Sequence, residues 1–347
     1  MNVADLLGLP SLEDDLARLE TVLHRSVAAE DPFLAEVATH LISSGGKRLR
    51  PALTLAAAAC GARLGGGAGL GGGAGLGPEA PGGSVAEEVL LGGVSVELVH
   101  LASLYHDDVM DEADSRRSVE SVNHRWGHLV AIVAGDFLLA RAAGIAASLG
   151  TEIAGLLAGT LARMCDGQVR EVQTTFSPGR SESSYLAAIA GKTASLMATS
   201  CRIGALTAGL DRDQVEALTT FGECFGMVFQ IRDDILDVVG SDDELGKAAG
   251  QDLAKGIYTL PVIRALAEPD VGPELADLLG RPLDPPELDK ARATVTASGG
   301  IAAATSEARR WADRAAAAAA SLEEGTTCDA LQGLAYALVD TVPVPSG

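Results

Sequence analysis

Apolar residues recur at helical spacing from about Leu16 to the C-terminal region, and no segment alternates apolar and polar positions as a half-buried strand would. The pattern predicts an all-α chain of about ten to thirteen helices. Val94 to Asp111 reads as an apolar helix that ends in acid. Phe225, Met227, Val228 and Ile231 mark a second apolar helix running into Asp233 and Asp234. A glycine-rich stretch near residues 65–83, GGGAGLGGGAGLGPEAPGG, reads as a flexible loop between helices. It follows no predicted strand and lacks a Gly-Lys-Ser/Thr ending, so it does not read as a phosphate-binding loop. Smaller breaks fall at Ser177-Pro178-Gly179, Ser241-Asp242-Asp243 and Arg281-Pro282, and Gly191-Lys192-Thr193 is a short polar interruption. Residues of chemical interest lie on both sides of the glycine-rich loop. Residues 1–347 are therefore expected to form a single domain, closed by a polar tail at about 341–347.

Composition narrows the picture. Of 347 residues, 47% are hydrophobic but only 3% aromatic, and Ala, Leu and Val suit close helix packing better than sheets. The net charge of -21 argues against a nucleic-acid partner, which would favour a basic face. The acidic start MNVADLLGLPSLEDD has no basic region before an apolar run, so no secretory signal is expected. No uninterrupted apolar run reaches the ~18 residues of an integral membrane segment. A soluble, cytoplasmic protein is expected. Cys60, Cys165, Cys201, Cys224 and Cys328 fall singly in apolar segments. Buried free thiols are expected, not a metal site or disulfide framework.

The candidate chemistry lies in clusters. On a helix, His100, Leu104, Asp107 and Asp111 share one stripe, with Asp108 beside them. Carboxylates gathered at a helix C-terminus oppose the macrodipole and repel one another, which a hard divalent cation would relieve. Arg116 and Arg117 follow, and guanidinium forks bind phosphate oxygens bidentately. Gln230, Asp233, Asp234 and Asp237 share one face of the second helix. Carboxylates on an apolar helix are costly unless paired or metal-bound. Lysines accompany glycines at Gly45-Gly46-Lys47-Arg48-Leu49-Arg50-Pro51, Gly191-Lys192-Thr193 and Gly246-Lys247. Singly, each cluster also fits a solvated charged face; it is their company that points to diphosphate chemistry.

Taken in order, GGKRLRP, HDDVMD with its paired arginines, GKT, FQIRDDILD and GKAAGQDLAKG with TLP resemble the trans-isoprenyl diphosphate synthase (polyprenyl synthetase) family. The resemblance runs from about residue 30 to 265. It implies a single helical bundle of the isoprenoid synthase type with a central cavity. It also implies that Lys47, Arg50, His100 and Arg117 hold isopentenyl diphosphate. Asp107, Asp108, Asp111, Asp233, Asp234 and Asp237 would hold Mg²⁺, about three ions around an allylic prenyl diphosphate. Arg116, Lys192 and Lys247 match residues touching that diphosphate, and Thr193 and Gln230 match oxygens near the developing allylic cation. The implied reaction is head-to-tail condensation with loss of diphosphate, in a homodimer. Two departures stand out: Ile257 occupies a position where many short-chain members carry lysine, and the C-terminal Val342–Gly347 segment lacks the basic ending of some relatives.

In the family, product length depends on a tunnel along the first-motif helix. The positions facing it are Ala102 and Ser103, with Leu98, Val99 and Ser95 deeper and Phe137 and Leu138 as candidates for its floor. Small residues there predict a medium- or long-chain product; simple close packing of small residues is the plainer alternative. A synthase stopping at geranylgeranyl or farnesyl diphosphate is the nearest rival. A non-catalytic prenyl-binding partner subunit, or a terpene cyclase, is expected to lose part of the motif set, and none is lost here.

Overall fold

The computed structural model describes Leu7 and residues 11–60, 85–240, 249–322 and 325–343. The glycine-rich loop, the break at 241–243 and Lys247 lie outside the described residues. So does most of the C-terminal tail. The described chain is α-helical, as its periodicity predicts. It divides into two compact units: unit 1 comprises Met1–Leu161, Thr199–Thr219 and Ser321–Ala330, and unit 2 comprises Ala162–Ala198, Thr220–Ala320 and Leu331–Gly347.

Unit 1 is built around α4 (Glu87–Met110), against which α1 (Leu12–Ser26) and α3 (Leu49–Ala59) pack. Helix α1 carries Glu13, Asp14 and Asp15 in its first turn and His24 and Arg25 in its last, both favourable to the macrodipole, and buries Leu12, Leu19, Val22 and Leu23 on one stripe. Helix α2 (Pro32–Ser43) is capped by Asp31, which accepts from the amides of Phe33 and Leu34, with proline in its first turn. Close approach to α4 is set by its glycines. A Cβ on Gly92 would stand 2.7 Å from Ile203 Cγ2, and one on Gly93 2.7 Å from Leu19 Cδ1. After α4 comes a hairpin of two-residue strands, β1 (Ser115–Arg116) and β2 (Val119–Glu120), then α5 (Val122–Trp126), α6 (His128–Leu149) and α7 (Thr151–Gln173), which from Ala162 on belongs to unit 2. Helix α6 packs extensively on α4 and α2.

Unit 2 contains α8 (Glu182–Ile189), a π-helical segment (Ala190–Ala194) and the start of α9 (Ser195–Thr207). It also holds the larger part of α10 (Arg212–Val239), then α11 (Gln251–Ala254), α12 (Leu260–Leu266), α13 (Gly272–Leu278), α14 (Pro285–Ala297), α15 (Gly300–Ala320) and most of α16 (Thr326–Val339). A capping box between Asp284 and Glu287 starts α14. A stripe of buried alanines (Ala304, Ala308, Ala312, Ala315, Ala319) lets α15 pack closely.

Three differences from the expectation have physical causes. Sixteen α-helices occur among the described residues, because α5, α11, α12 and α13 span only four to seven residues, too short to show a period. The hairpin was not expected, since two-residue strands carry no alternation; its turn residues Arg117 and Ser118 have φ of 53° and 63°, the left-handed pair that a type I′ turn uses. Not every cysteine is buried: Cys165 is exposed and Cys60 half-buried. Two helices, Glu87–Met110 and His128–Leu149, are long and apolar enough to cross a membrane by length and composition. The first is largely buried in the fold, whereas α6 leaves Leu129, Ile132 and Val133 exposed.

Candidate active site

In unit 1 the C-terminal turns of α4 present acid in two settings. His100, Leu104 and Asp107 are half-buried and Asp111 is exposed, whereas Asp108 is fully buried. Arg116, on β1, donates to Asp108 Oδ1 from Nε at 2.8 Å and from Nη2 at 2.5 Å. The hairpin thus returns a cation to a helix end that its own dipole makes unfavourable for carboxylates.

The neighbouring Arg117 is directed by the left-handed turn toward the loop between α2 and α3. Its Nη1 donates to the carbonyls of Gly45 and of Leu41, the latter at 3.3 Å. A Cβ at Gly46 would lie 2.8 Å from that nitrogen, so glycine leaves room for the guanidinium. In the same loop Lys47 is exposed, Arg48 buried and Arg50, in the first turn of α3, half-buried. Burial lowers the Arg50 guanidinium to about 10, Glu97 opposing that shift and Arg117 adding to it. Arg50 Nε is buried without a hydrogen-bond partner. Burial also holds His100 well below its ordinary value, reinforced by Arg50, Arg117, Arg116 and Arg48. The result is a neutral imidazole among arginines, suited to an anion rich in oxygen acceptors.

In unit 2 the acid sits in the last two turns of α10. Asp234 and Asp237 on α10 are 3% and 2% exposed. Tyr185, on α8, donates its hydroxyl to Asp234 Oδ2 at 2.6 Å, and Gln230 Nε2 donates to Oδ1 at 2.7 Å. Thr193 Oγ1 in turn donates to Gln230 Oε1 at 2.7 Å, so one chain of bonds joins Tyr185, Asp234, Gln230 and Thr193. Burial drives the Asp234 carboxyl well above the ordinary range, with Asp252 adding to it and the bonds from Tyr185 and Gln230 opposing it. Asp237 Oδ2 accepts from the Asp252 amide at 3.0 Å, and Asp233 Oδ1 from Arg232 at 2.9 Å. Lys192 donates to Glu171 at 2.6 Å. Lys192 and Thr193 lie in the π-helical segment, a local widening often found at functional sites. A Cβ on Gly191 would stand 2.5 Å from Arg163 O, so within unit 2 the second half of α7 approaches this segment backbone to backbone.

The structure thus places Lys47, Arg50, His100, Asp107, Asp108, Asp111, Arg116 and Arg117 in unit 1. It places Lys192, Thr193, Gln230, Asp233, Asp234 and Asp237 in unit 2. Leu98, Val99 and Ala102 are fully buried and Ser103 is half-buried, donating to His100 O at 2.8 Å. Ile257 is half-buried, its amide bonded to Asp252 O at 2.7 Å. Sequence reading missed Tyr185, although it precedes Lys192 by seven residues, two helical turns. It passed over Arg48, Glu97, Glu171 and Asp252 as well. These act through tertiary partners, for which spacing gives no signal. Among the described residues no three His, Cys, Asp or Glu side chains form a ready-made metal group. The all-carboxylate donor sets nonetheless fit Mg²⁺, which takes one or two carboxylates and completes its shell with water and phosphate oxygens.

A helical chain with two carboxylate sets and arginines gathered around His100 fits one class of protein: an enzyme handling diphosphates. Residues 31–295 match the polyprenyl synthetase family, and the chain belongs to that family. It is 36% identical over 318 residues to the nonaprenyl diphosphate synthase of Mycobacterium tuberculosis, covering 91% of this chain and 89% of the relative. It is 40% identical over 266 residues to heptaprenyl diphosphate synthase component 2 of Geobacillus stearothermophilus, covering 76% and 77%. Its fold is similar to that of a polyprenyl synthase from Caulobacter crescentus solved with calcium and isoprenyl diphosphate (TM-score 0.85, 30% identity, 98% of each chain).

Proposed function

We propose that the protein is a Mg²⁺-dependent, medium- or long-chain trans-polyprenyl diphosphate synthase. It would condense isopentenyl diphosphate head-to-tail with an allylic prenyl diphosphate and release diphosphate. The observation that carries this reading is His100 surrounded by Arg48, Arg50, Arg116 and Arg117 in the same unit as Asp107, Asp108 and Asp111. Lys47, Arg50, His100 and Arg117 bind the diphosphate of isopentenyl diphosphate and direct its double bond. Arg116 and Lys192 bind the allylic diphosphate, exchanging Asp108 and Glu171 for phosphate oxygens. The six aspartates of the two motifs are the residues that would hold Mg²⁺, which when bound supplies positive charge against the leaving diphosphate. As the allylic C–O bond breaks, its electron pair stays with the diphosphate. Thr193, its hydrogen turned toward Gln230, keeps lone pairs for the developing cation. The double bond then attacks C1, and the proton lost passes to a diphosphate oxygen.

The test is incubation of the purified chain with Mg²⁺, isopentenyl diphosphate and, separately, dimethylallyl, geranyl, farnesyl and geranylgeranyl diphosphate, with products read by mass spectrometry. Products longer than geranylgeranyl are expected. No condensation with any primer overturns the enzyme reading, and products stopping at geranylgeranyl overturn the length reading alone. Ala102→Phe should shorten the product if Ala102 lines the tunnel. If it is only packed core, length stays and stability falls by about 1–3 kcal/mol from overpacking.

Exposed Leu129, Ile132 and Val133 support assembly as a homodimer, which sedimentation would test. The relative named component 2 favours a second reading, in which the chain works only together with a separate subunit. Turnover by the purified chain alone decides between them.

A further inference from the structure

Arg48 stands between the two basic residues assigned to isopentenyl diphosphate, yet its environment differs from theirs. It is 8% exposed, in a left-handed backbone conformation (φ 45°, ψ 40°) as the residue that starts α3. All three guanidinium nitrogens donate inside the protein. Nε and Nη2 fork onto the two oxygens of Glu20 on α1, both at 2.7 Å. Nη1 donates to Glu97 on α4 at 2.9 Å, and Nη2 to the Ile42 carbonyl of α2 at 3.1 Å. Glu97 is itself 1% exposed. One side chain therefore ties the loop to three helices at once.

We infer that Arg48 is a positioning residue for the diphosphate of isopentenyl diphosphate, fixing the loop that carries Lys47 and Arg50 in register with His100. The inference rests on the site proposed above for that substrate. Two carboxylates already neutralise Arg48, so it is no direct ligand for an anion, whereas Arg50 keeps a buried, unpartnered Nε. The register follows from α4: Glu97 lies three residues before His100, on the adjoining turn of the same helix face. Anchoring Arg48 to Glu97 therefore sets where α3 begins relative to His100, and Arg50 sits in the first turn of α3. Arg117 grips the same loop through the Gly45 and Leu41 carbonyls. A left-handed arginine is an uncommon way to start a helix, held here by ion pairs on either side of the turn. Buried ion pairs add little stability over well-packed apolar groups, so geometry is the better account of this one.

The test uses the full chain and steady-state kinetics with each substrate varied in turn. Arg48→Lys keeps the charge but cannot fork onto Glu20 while reaching Glu97. The KM for isopentenyl diphosphate should rise roughly 10- to 100-fold, as expected for a small displacement of binding groups, with the KM for the allylic substrate unchanged. Glu97→Gln, which keeps the shape and removes one charge, should give a smaller rise in the same KM and serves if Arg48→Lys fails to fold. Calorimetric titration with inorganic diphosphate in the absence of metal should show parallel weakening. A lower melting temperature with both KM values unchanged would mean a structural ion pair only and overturns the inference. Lys47→Ala and Arg50→Ala separate this failure from that of the site itself. If they leave the KM for isopentenyl diphosphate unchanged, the site assignment falls and the inference with it; if they raise it while Arg48→Lys and Glu97→Gln do not, only the inference falls.

Discussion

Asp108 in unit 1 and Asp234 in unit 2 are both buried aspartates of an acidic helix, and the protein treats them in opposite ways. Asp108 receives a guanidinium, forked onto one oxygen by Arg116. Asp234 receives a phenol and an amide, neither carrying charge, and has a second acid, Asp252, close enough to raise its pKa. The first carboxylate is paired with a guanidinium from the hairpin. The second waits at an energetic cost that a bound cation would relieve. Asp108 thus has its counter-charge within the chain, whereas the side chains that donate to Asp234 are neutral.

The largest effect that tests this comparison is on turnover. Asp108→Asn and Asp234→Asn should each lower it by roughly 10²- to 10³-fold, the scale for removing one preorganised electrostatic group. Their stabilities should diverge. Asp108→Asn strands Arg116 and should destabilise the metal-free protein by about 2 kcal/mol, less than for a fully buried pair because Arg116 is 31% exposed. Asp234→Asn should leave the metal-free melting temperature at pH 8 unchanged or raised. A clear drop there would break the comparison.

Next comes the pH dependence of stability, where the two units should slope in opposite senses. His100 binds a proton less readily folded than unfolded, so its contribution is complete above about pH 6.5 and is lost as pH falls below that. Asp234 binds a proton more readily folded, so stability falls as pH rises from about 4 toward its raised pKa. Thermal melts of metal-free protein from pH 4 to 8 should show His100→Gln flattening the acid side and Asp234→Asn flattening the other. Unaltered slopes in both variants would remove the electrostatic distinction.

Tyr185→Phe sharpens the comparison at unit 2 alone. It leaves Asp234 Oδ2 short of a donor and should cost about 1–3 kcal/mol in denaturant unfolding. Gly46→Ala should have the smallest effect, about 1 kcal/mol, its Cβ pressing on an Arg117 guanidinium that the Gly45 and Leu41 carbonyls hold. Its signature should be weaker binding of inorganic diphosphate, measured by calorimetry.

How much of this was legible beforehand varies with the kind of information. The α class was readable because helical burial leaves a 3.6-residue period, and α4 and α10 fall where that period ends in acid. The split of the first motif into a half-buried stripe and a buried Asp108 was not, since it needs Arg116 to come back through a hairpin whose strands are two residues long. Gly191-Lys192-Thr193 read as an interruption, while the chain continues there as a π-helix, where Gly167 and Gly191 let two backbones come close. Tyr185 and Arg48 illustrate the same limit: nothing beside them in the chain names Asp234, Glu20 or Glu97 as partners.

Residue order alone carries the helices, the two aspartate sets, the basic residues that accompany them and, through their order, the family. Those properties are written in spacing and residue type, which local backbone geometry converts directly into faces and stripes. Which charges have a charged partner and which have neutral ones is set by packing. Asp108 has Arg116, Arg48 has Glu20 and Glu97, and Asp234 has neutral donors, because each pairing joins residues from different helices whose approach is set by packing.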